Sequence, residues 1–215
     1  MVTIREKHSR AIRWCHWLNF PLLTLLVWSG ILIYWANPAY VPLSDSVSKT
    51  LMINNKLAVG LGWHFALAWF FIVNGIVYLA YLMISGEWRE LVPERSSFRE
   101  ALLVTAHDLR LRKEAPPQKG KLNGAQRIAY TAVLLLSAGA VLSGVAIWKP
   151  VQLSWLTEAL GGYEAARLEH FVFMVLISGF FLVHVAQVIR AGWNNLRAML
   201  VGYEVVENGT DEKNL

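Results

Sequence analysis

Four stretches of this chain, at about residues 14–35, 57–84, 126–148 and 165–189, are almost wholly apolar. Each exceeds the ~20 residues that a helix needs to span the hydrocarbon of a bilayer. Only 16% of the residues are charged and 55% are hydrophobic, against about 25% charged in an ordinary soluble domain. The expected fold is therefore all-α, an integral membrane four-helix bundle. Asn37-Pro38 is expected to end the first helix, Gly86 follows the second and Lys149-Pro150 closes the third. Pro93, Pro116 and Pro117 punctuate the long middle connection. Ten Trp and seven Tyr suit aromatic belts at the two interfaces. The first apolar run is longer than the core of a secretory signal and lacks a clear small-residue cleavage site, so it reads as a retained helix.

The cations are unevenly distributed. The N-terminal arm, the middle connection and the C-terminal side together carry sixteen of the Lys and Arg residues, and the two remaining loops carry Lys49, Lys56, Lys149 and Arg167. The positive-inside rule places both termini and the middle connection in the cytoplasm. Loops at about 37–56 and 149–164 then face outward, too short to form a catalytic domain. Within the middle connection, Phe98, Ala101, Leu102, Val104, Leu109 and Leu111 are interspersed with charges from Ser97 to Arg112. That pattern predicts a short interfacial helix on the cytoplasmic surface. Residues 1–204 read as one transmembrane domain, and 205–215 as a polar cytoplasmic tail. No sequence repeat is evident.

Four histidines lie inside the apolar segments: His16, His64, His170 and His184. His170 and His184 are fourteen residues apart on one segment. At ~100° and ~1.5 Å per residue they fall on nearly one helix face, about 21 Å apart along the axis. One helix thus offers an imidazole near each side of the bilayer. The predicted topology puts His16 at the depth of His184 and His64 at the depth of His170. Two imidazoles at one depth suit the two axial positions of a haem iron, and a closed, low-spin iron suits electron transfer rather than oxygen binding. The expected cofactors are two haem b groups, held by His16 with His184 and by His64 with His170. The single cysteine, Cys15, allows no internal disulfide, and no Cys-x-x-Cys-His is present for covalent haem attachment.

Other residues can serve such a site. Gly30, Gly75, Gly139, Gly144 and Gly179 could make room for a flat macrocycle or simply allow close helix packing. Arg13, one turn before His16, and Arg167, three residues before His170, are candidates for haem propionates; Arg10 reads as a topogenic charge. Cys15 is not expected to act as a ligand beside His16. His8 lies outside the membrane segments. His107-Asp108 could exchange protons with a quinone, or be a solvated surface pair.

The stretch "HSRAIRWCHWLNFPLLTLLVWSGILIYW" is similar to the opening of the di-haem b-type cytochromes that anchor periplasmic oxidoreductases. These include the cytochrome subunits of Ni/Fe hydrogenases, formate dehydrogenases and thiosulfate reductases. "ARLEHFVFMVLISGFFLVHVAQVIRAGW" resembles their two-histidine helix, and "HDLRLRKEAPPQKGKLNGAQRIAY" and "GWNNLRAMLVGYE" look like the thiosulfate-reductase-cytochrome-like branch. The resemblance covers about residues 5–204. It implies the same ligand assignment, a bacterial inner-membrane location, and exchange of electrons with ubiquinone or menaquinone. It also implies a separate periplasmic oxidoreductase subunit, molybdopterin-dependent or other, as partner. Membrane lipid is the expected surround, and no nucleic-acid partner is expected. The rival expectation is a stand-alone oxidoreductase passing electrons from superoxide to quinone, for which Lys49, Lys56, Lys149 and Arg167 could form an external cationic pocket. A transporter or a haem-free structural anchor would require four coincidental histidines.

Overall fold

The computed structural model describes residues 2–36, 44–53, 56–114 and 121–207. In chain order its elements are β1 (Val2–Glu6), α1 (Arg10–Tyr34), α2 (Asp45–Thr50), α3 (Leu57–Ser85), α4 (Trp88–Leu91), α5 (Arg95–Asp108), α6 (Gly124–Trp148), α7 (Ser154–Ala159), α8 (Tyr163–Ala191), α9 (Trp193–Val201) and β2 (Tyr203–Glu207). Among the described residues the fold is all-α apart from one short strand pair. The helices long and apolar enough to cross a membrane are α1, α3, α6 and α8, within a few residues of the predicted spans. Asn37-Pro38 and Pro116-Pro117 lie outside the described residues. Large apolar side chains such as Trp69, Phe70, Ile76, Leu182 and Val183 are exposed along these helices, a surface that lipid rather than water accommodates.

Contacts divide the chain into two compact units, Arg10–Ala80 and Met1–Ser9 with Tyr81–Leu215. In the first, α1 and α3 meet through a small residue and an amide. A Cβ on Gly60 would stand 2.9 Å from the Leu32 Cβ, so only glycine permits that approach. Further along, buried Asn74 of α3 donates its side-chain amide to the Cys15 carbonyl at 3.0 Å and to Asn19 Oδ1 at 2.6 Å. A buried amide in an apolar surround is costly unless bonded in this way.

In the second unit, α5 and α6 are started by reciprocal capping. Ser97 accepts from the Glu94 N–H, and Asn123 and Gln126 cap each other, removing orphan donors at both helix starts. α5 forms in the stretch expected to be helical, running from Arg95 to Asp108 rather than from Ser97 to Arg112. Its Phe98 and Leu102 are exposed beside Arg95 and Arg99. A Cβ on Gly124 would come 2.5 Å from the Ser97 carbonyl oxygen, so glycine sets the approach of α5 to α6. Arg127 of α6 reaches Glu90 at 3.5 Å and Glu94 at 3.0 Å, while Thr131 donates to the Leu91 carbonyl. Ala146, Leu156 and Ala166 form a tight apolar knot among α6, α7 and α8.

The tail contributes a strand that the apolar pattern did not predict. β2 pairs antiparallel with β1, Val2 opposite Glu207 and Glu6 opposite Tyr203. Gly202, at φ 98°, closes α9 in the left-handed conformation, where glycine carries no side-chain penalty. Its carbonyl accepts from the Lys7 N–H at 2.8 Å. Glu204 binds Arg5 at 2.6 Å and Lys7 at 2.7 Å.

Candidate functional site

Each of the four intramembrane histidines sits on a long helix. His16 and His64 belong to the first unit, on α1 and α3; His170 and His184 belong to the second, both on α8. α8 runs without a break from Tyr163 to Ala191, so the fourteen-residue interval from His170 to His184 corresponds to about 21 Å of axial rise. His16 packs edge-on against Trp17, ring centroids 5.3 Å apart. His184 stacks on Phe180 at 5.9 Å.

The surroundings of His170 define which imidazole nitrogen carries the proton, and those of His64 accommodate the same tautomer. Ser29 Oγ lies 3.0 Å from the Leu26 carbonyl and 3.0 Å from His64 Nδ1. A hydroxyl has one proton. Donated to Leu26, it leaves Ser29 to accept from the His64 Nδ1–H, which puts that ring's lone pair on Nε2. At His170 a carbonyl decides the matter, because it can only accept. His170 Nδ1 is 2.9 Å from the Ala140 carbonyl and 3.1 Å from Ser143 Oγ. Ser143 donates to the Gly139 carbonyl at 2.7 Å. His170 is therefore also the Nδ1–H tautomer, with its lone pair on Nε2.

A glycine follows each serine, and each lies against the ring. A Cβ on Gly30 would stand 3.6 Å from His64 Cε1, and one on Gly144 would stand 3.0 Å from His170 Cε1. Gly139 is filled by Phe173, whose Cζ would be 2.7 Å from a Cβ there. Gly75 and Gly179 differ, since a Cβ at either would meet nothing within 4 Å.

These two arrangements are one local plan used twice. α1 and α6 are each 25 residues long, α2 and α7 each 6, and α3 and α8 each 29. Ser29 stands nineteen residues after the first residue of α1, and Ser143 nineteen after the first residue of α6. His64 and His170 each stand seven residues after the start of α3 and α8. In the same register Arg13 matches Arg127, and the Leu32–Gly60 contact matches Ala146 with Ala166. The remaining histidines are not duplicated: His16 falls at the register of Tyr130, and His184 at that of Tyr78.

The other predicted residues are placed as follows. Arg13 is half-buried on α1. Arg167 pairs with Glu164 at 3.1 Å and lies over the Tyr163 ring. Cys15 is buried and free of disulfide. His107 and Asp108 end α5, with His107 Nδ1 3.8 Å from the Asp108 carboxylate. Asp108 also takes Gln187 at 3.0 Å and Arg190 at 3.3 Å, one to two turns beyond His184. The histidine pattern alone did not point to Ser29, Ser143, Asn74, Gln187 or Arg190. The usable signal was the Ser-Gly pair at matching helix positions.

The donor set fits haem. An axial histidine commonly donates its second ring nitrogen to a fixed acceptor, which holds the tautomer and the ring plane, and both units provide this. Among the described residues no three His, Cys, Asp or Glu side chains gather as a site for a bare ion. The family model of the prokaryotic cytochrome b561 matches residues 7–202. The chain belongs to that family. It is a multi-pass membrane protein that carries electrons with haem b, which bears out the resemblance to b-type cytochromes. A relative from Azospira oryzae, named as a putative protein-methionine-sulfoxide reductase subunit YedZ1, is 37% identical over 182 residues, covering 84% of this chain and 89% of the relative.

Proposed function

We propose that this cytochrome is a di-haem electron carrier of the bacterial inner membrane that links the quinone pool to a periplasmic oxidoreductase subunit. Both termini are cytoplasmic in this reading, following the cation distribution. The observation that carries it is the pair of imidazoles, His64 and His170, each with Nδ1 against a buried serine hydroxyl, and His170 also against the Ala140 carbonyl. His64 and His170 would hold the outer haem, and His16 and His184 the inner one. Haem iron, when bound, supplies a one-electron couple. The chain's residues set ligand identity, ring orientation and the apolar surround, the levers by which a protein tunes that couple.

The ~21 Å of axial rise between His170 and His184 would put one ligand toward each face of the bilayer. Arg13 would neutralise propionates of the inner haem, and Arg167, with Glu164 as its local partner, those of the outer. Ubiquinone or menaquinone would exchange electrons on the cytoplasmic side, near the Asp108, Gln187 and Arg190 cluster. The relative named as a reductase subunit supports a partner enzyme, molybdopterin-dependent or other, over a stand-alone reaction with superoxide. Lys149 lies over Trp148 and Arg167 pairs with Glu164, so two of the four cations considered for an external pocket are engaged locally.

The first test is a dithionite-reduced minus oxidised spectrum with haem quantified per chain. Two low-spin b-type haems are expected, and a haem-free chain would overturn the reading. His64→Ala and His170→Ala should then lose the same haem. Loss of spectrally different haems would refute the pairing.

A further inference from the structure

The duplicated plan assigns a role to two serines that carry no charge and bind no iron. We infer that Ser29 and Ser143 are positioning residues, each accepting the Nδ1–H of a haem-ligand histidine on the neighbouring helix of its own unit. The inference deepens the proposed function and rests on its assignment of His64 and His170 as ligands.

Three observations support it. Both serines are fully buried, where a hydroxyl without bonds costs free energy. Each has a carbonyl of its own helix in place to take its own proton, Leu26 for Ser29 at 3.0 Å and Gly139 for Ser143 at 2.7 Å. A serine that merely satisfied its hydroxyl could stop there; these two also lie 3.0 and 3.1 Å from an imidazole Nδ1. Finally, both serines recur at one helix position, and the histidines they meet recur at another. Adjacent glycines keep that face of each ring clear of a Cβ. The bland alternative, helix packing through small residues, explains the glycines but not two hydroxyls aimed at Nδ1.

The chemical effect has a direction. An acceptor on Nδ1–H makes the imidazole a more basic ligand. A more basic ligand favours the ferric over the ferrous state and lowers the midpoint potential. Removing the acceptor raises it. Ser29→Ala should show this clearly. Ser143→Ala should show it less, because the Ala140 carbonyl still accepts from His170 Nδ1.

The experiment uses the full chain purified in detergent, with haem per chain measured first. A wild-type chain without haem would overturn the underlying ligand assignment rather than the serine role. Given two haems, Ser29 and Ser143 are each changed to Ala, Thr and Val, and each variant is titrated potentiometrically with low-spin EPR recorded. The expected result is retained haem, one midpoint raised in the Ala and Val variants with altered g values, and the wild-type values restored by Thr. An unchanged midpoint and unchanged g values in Ser29→Ala at full haem content would overturn the proposal. If the Ala variants fail to retain haem, the isosteric pair decides: recovery with Thr alone supports a hydroxyl acting on the ligand, and equal behaviour of Thr and Val overturns it. Shifts by the two serines in different haems would uphold positioning and refute the His64–His170 pairing.

Discussion

Gly144 and His170 are in such close register that a single methyl group would separate them: a Cβ at position 144 would stand 3.0 Å from His170 Cε1. The equivalent glycine of the other unit, Gly30, leaves 3.6 Å to His64 Cε1, an ordinary van der Waals distance. Ala at 144 must therefore displace an imidazole that is fixed by Ala140 and Ser143, whereas Ala at 30 fits. Gly144→Ala is expected to lower haem retention or shift the α band of one haem, while Gly30→Ala leaves the spectrum and haem content unchanged. The measurement is the reduced spectrum and haem per chain of the two variants side by side. Equal effects would show that these glycines do not set the ring clearance.

Glu204 joins the chain ends by binding both Arg5 and Lys7. Burial pushes its carboxyl upward, but hydrogen bonds and charge from Lys7 and Arg5 outweigh this and hold it below the usual glutamate range. A carboxyl whose folded value is depressed contributes stability above its unfolded value of about 4.3, and loses it as pH falls through the depressed folded value. The protection factors of the Thr3 and Arg5 amides, whose residues hold the hydrogen-bonded positions of the β1–β2 pair, should therefore be high at neutral pH and fall below about pH 4. Glu204→Gln should remove that acid step and speed exchange at pH 7. A pH-independent protection factor in the wild type would contradict the ionic role.

Asp108 and Arg190 tie the end of α5 to the end of α8 through two contacts of different kinds. The Arg190 guanidinium donates to the Asp108 carbonyl at 2.7 Å and approaches its carboxylate at 3.3 Å. Both side chains are partly exposed, so the ionic part is worth no more than about 1 kcal/mol. Asp108→Asn keeps the backbone contact, and Arg190→Ala loses both. Limited proteolysis after Arg110 or Arg112 should be faster in Arg190→Ala than in Asp108→Asn. The reverse order would show that the carboxylate, not the carbonyl, is the anchor.

The spans were legible because a membrane crossing is written in length and apolarity, and α1, α3, α6 and α8 need nothing else to be found. The four histidines were legible because an imidazole in hydrocarbon is conspicuous. The repeat was not, because hydropathy matches every apolar helix to every other. What identifies it is helix length and the positions of Ser29, Ser143, His64 and His170 within it. The β1–β2 clasp was hidden for another reason. Its strands lie at opposite ends of the chain, and each is too short and too charged to announce itself alone. Asn74 has no legible signal either, because one amide in a long apolar run carries no period.

Asn74 gives the last prediction. Its amide donates to a backbone carbonyl at Cys15 and to the Asn19 side chain, one residue and three residues from His16. Interhelical hydrogen bonds in membranes average about 0.6 kcal/mol and reach about 1.7, and a buried donor with two acceptors belongs toward the upper end. Asn74→Leu removes the donor and leaves two oxygens of α1 to find other partners. The hairpin of α1 and α3 should then lose about 1–2 kcal/mol against denaturation. Because the lost bonds lie on α1 beside His16, the proposed di-haem assignment predicts that mild heating releases the haem assigned to His16 before the other. Asn74→Asp, which sets a carboxyl against two acceptor oxygens in an apolar surround, should also be less stable than the wild type. The check is haem release followed at two wavelengths during thermal unfolding of the three proteins. Simultaneous loss of all haem in the Leu variant would place the effect of Asn74 on the whole protein rather than on the α1–α3 contact.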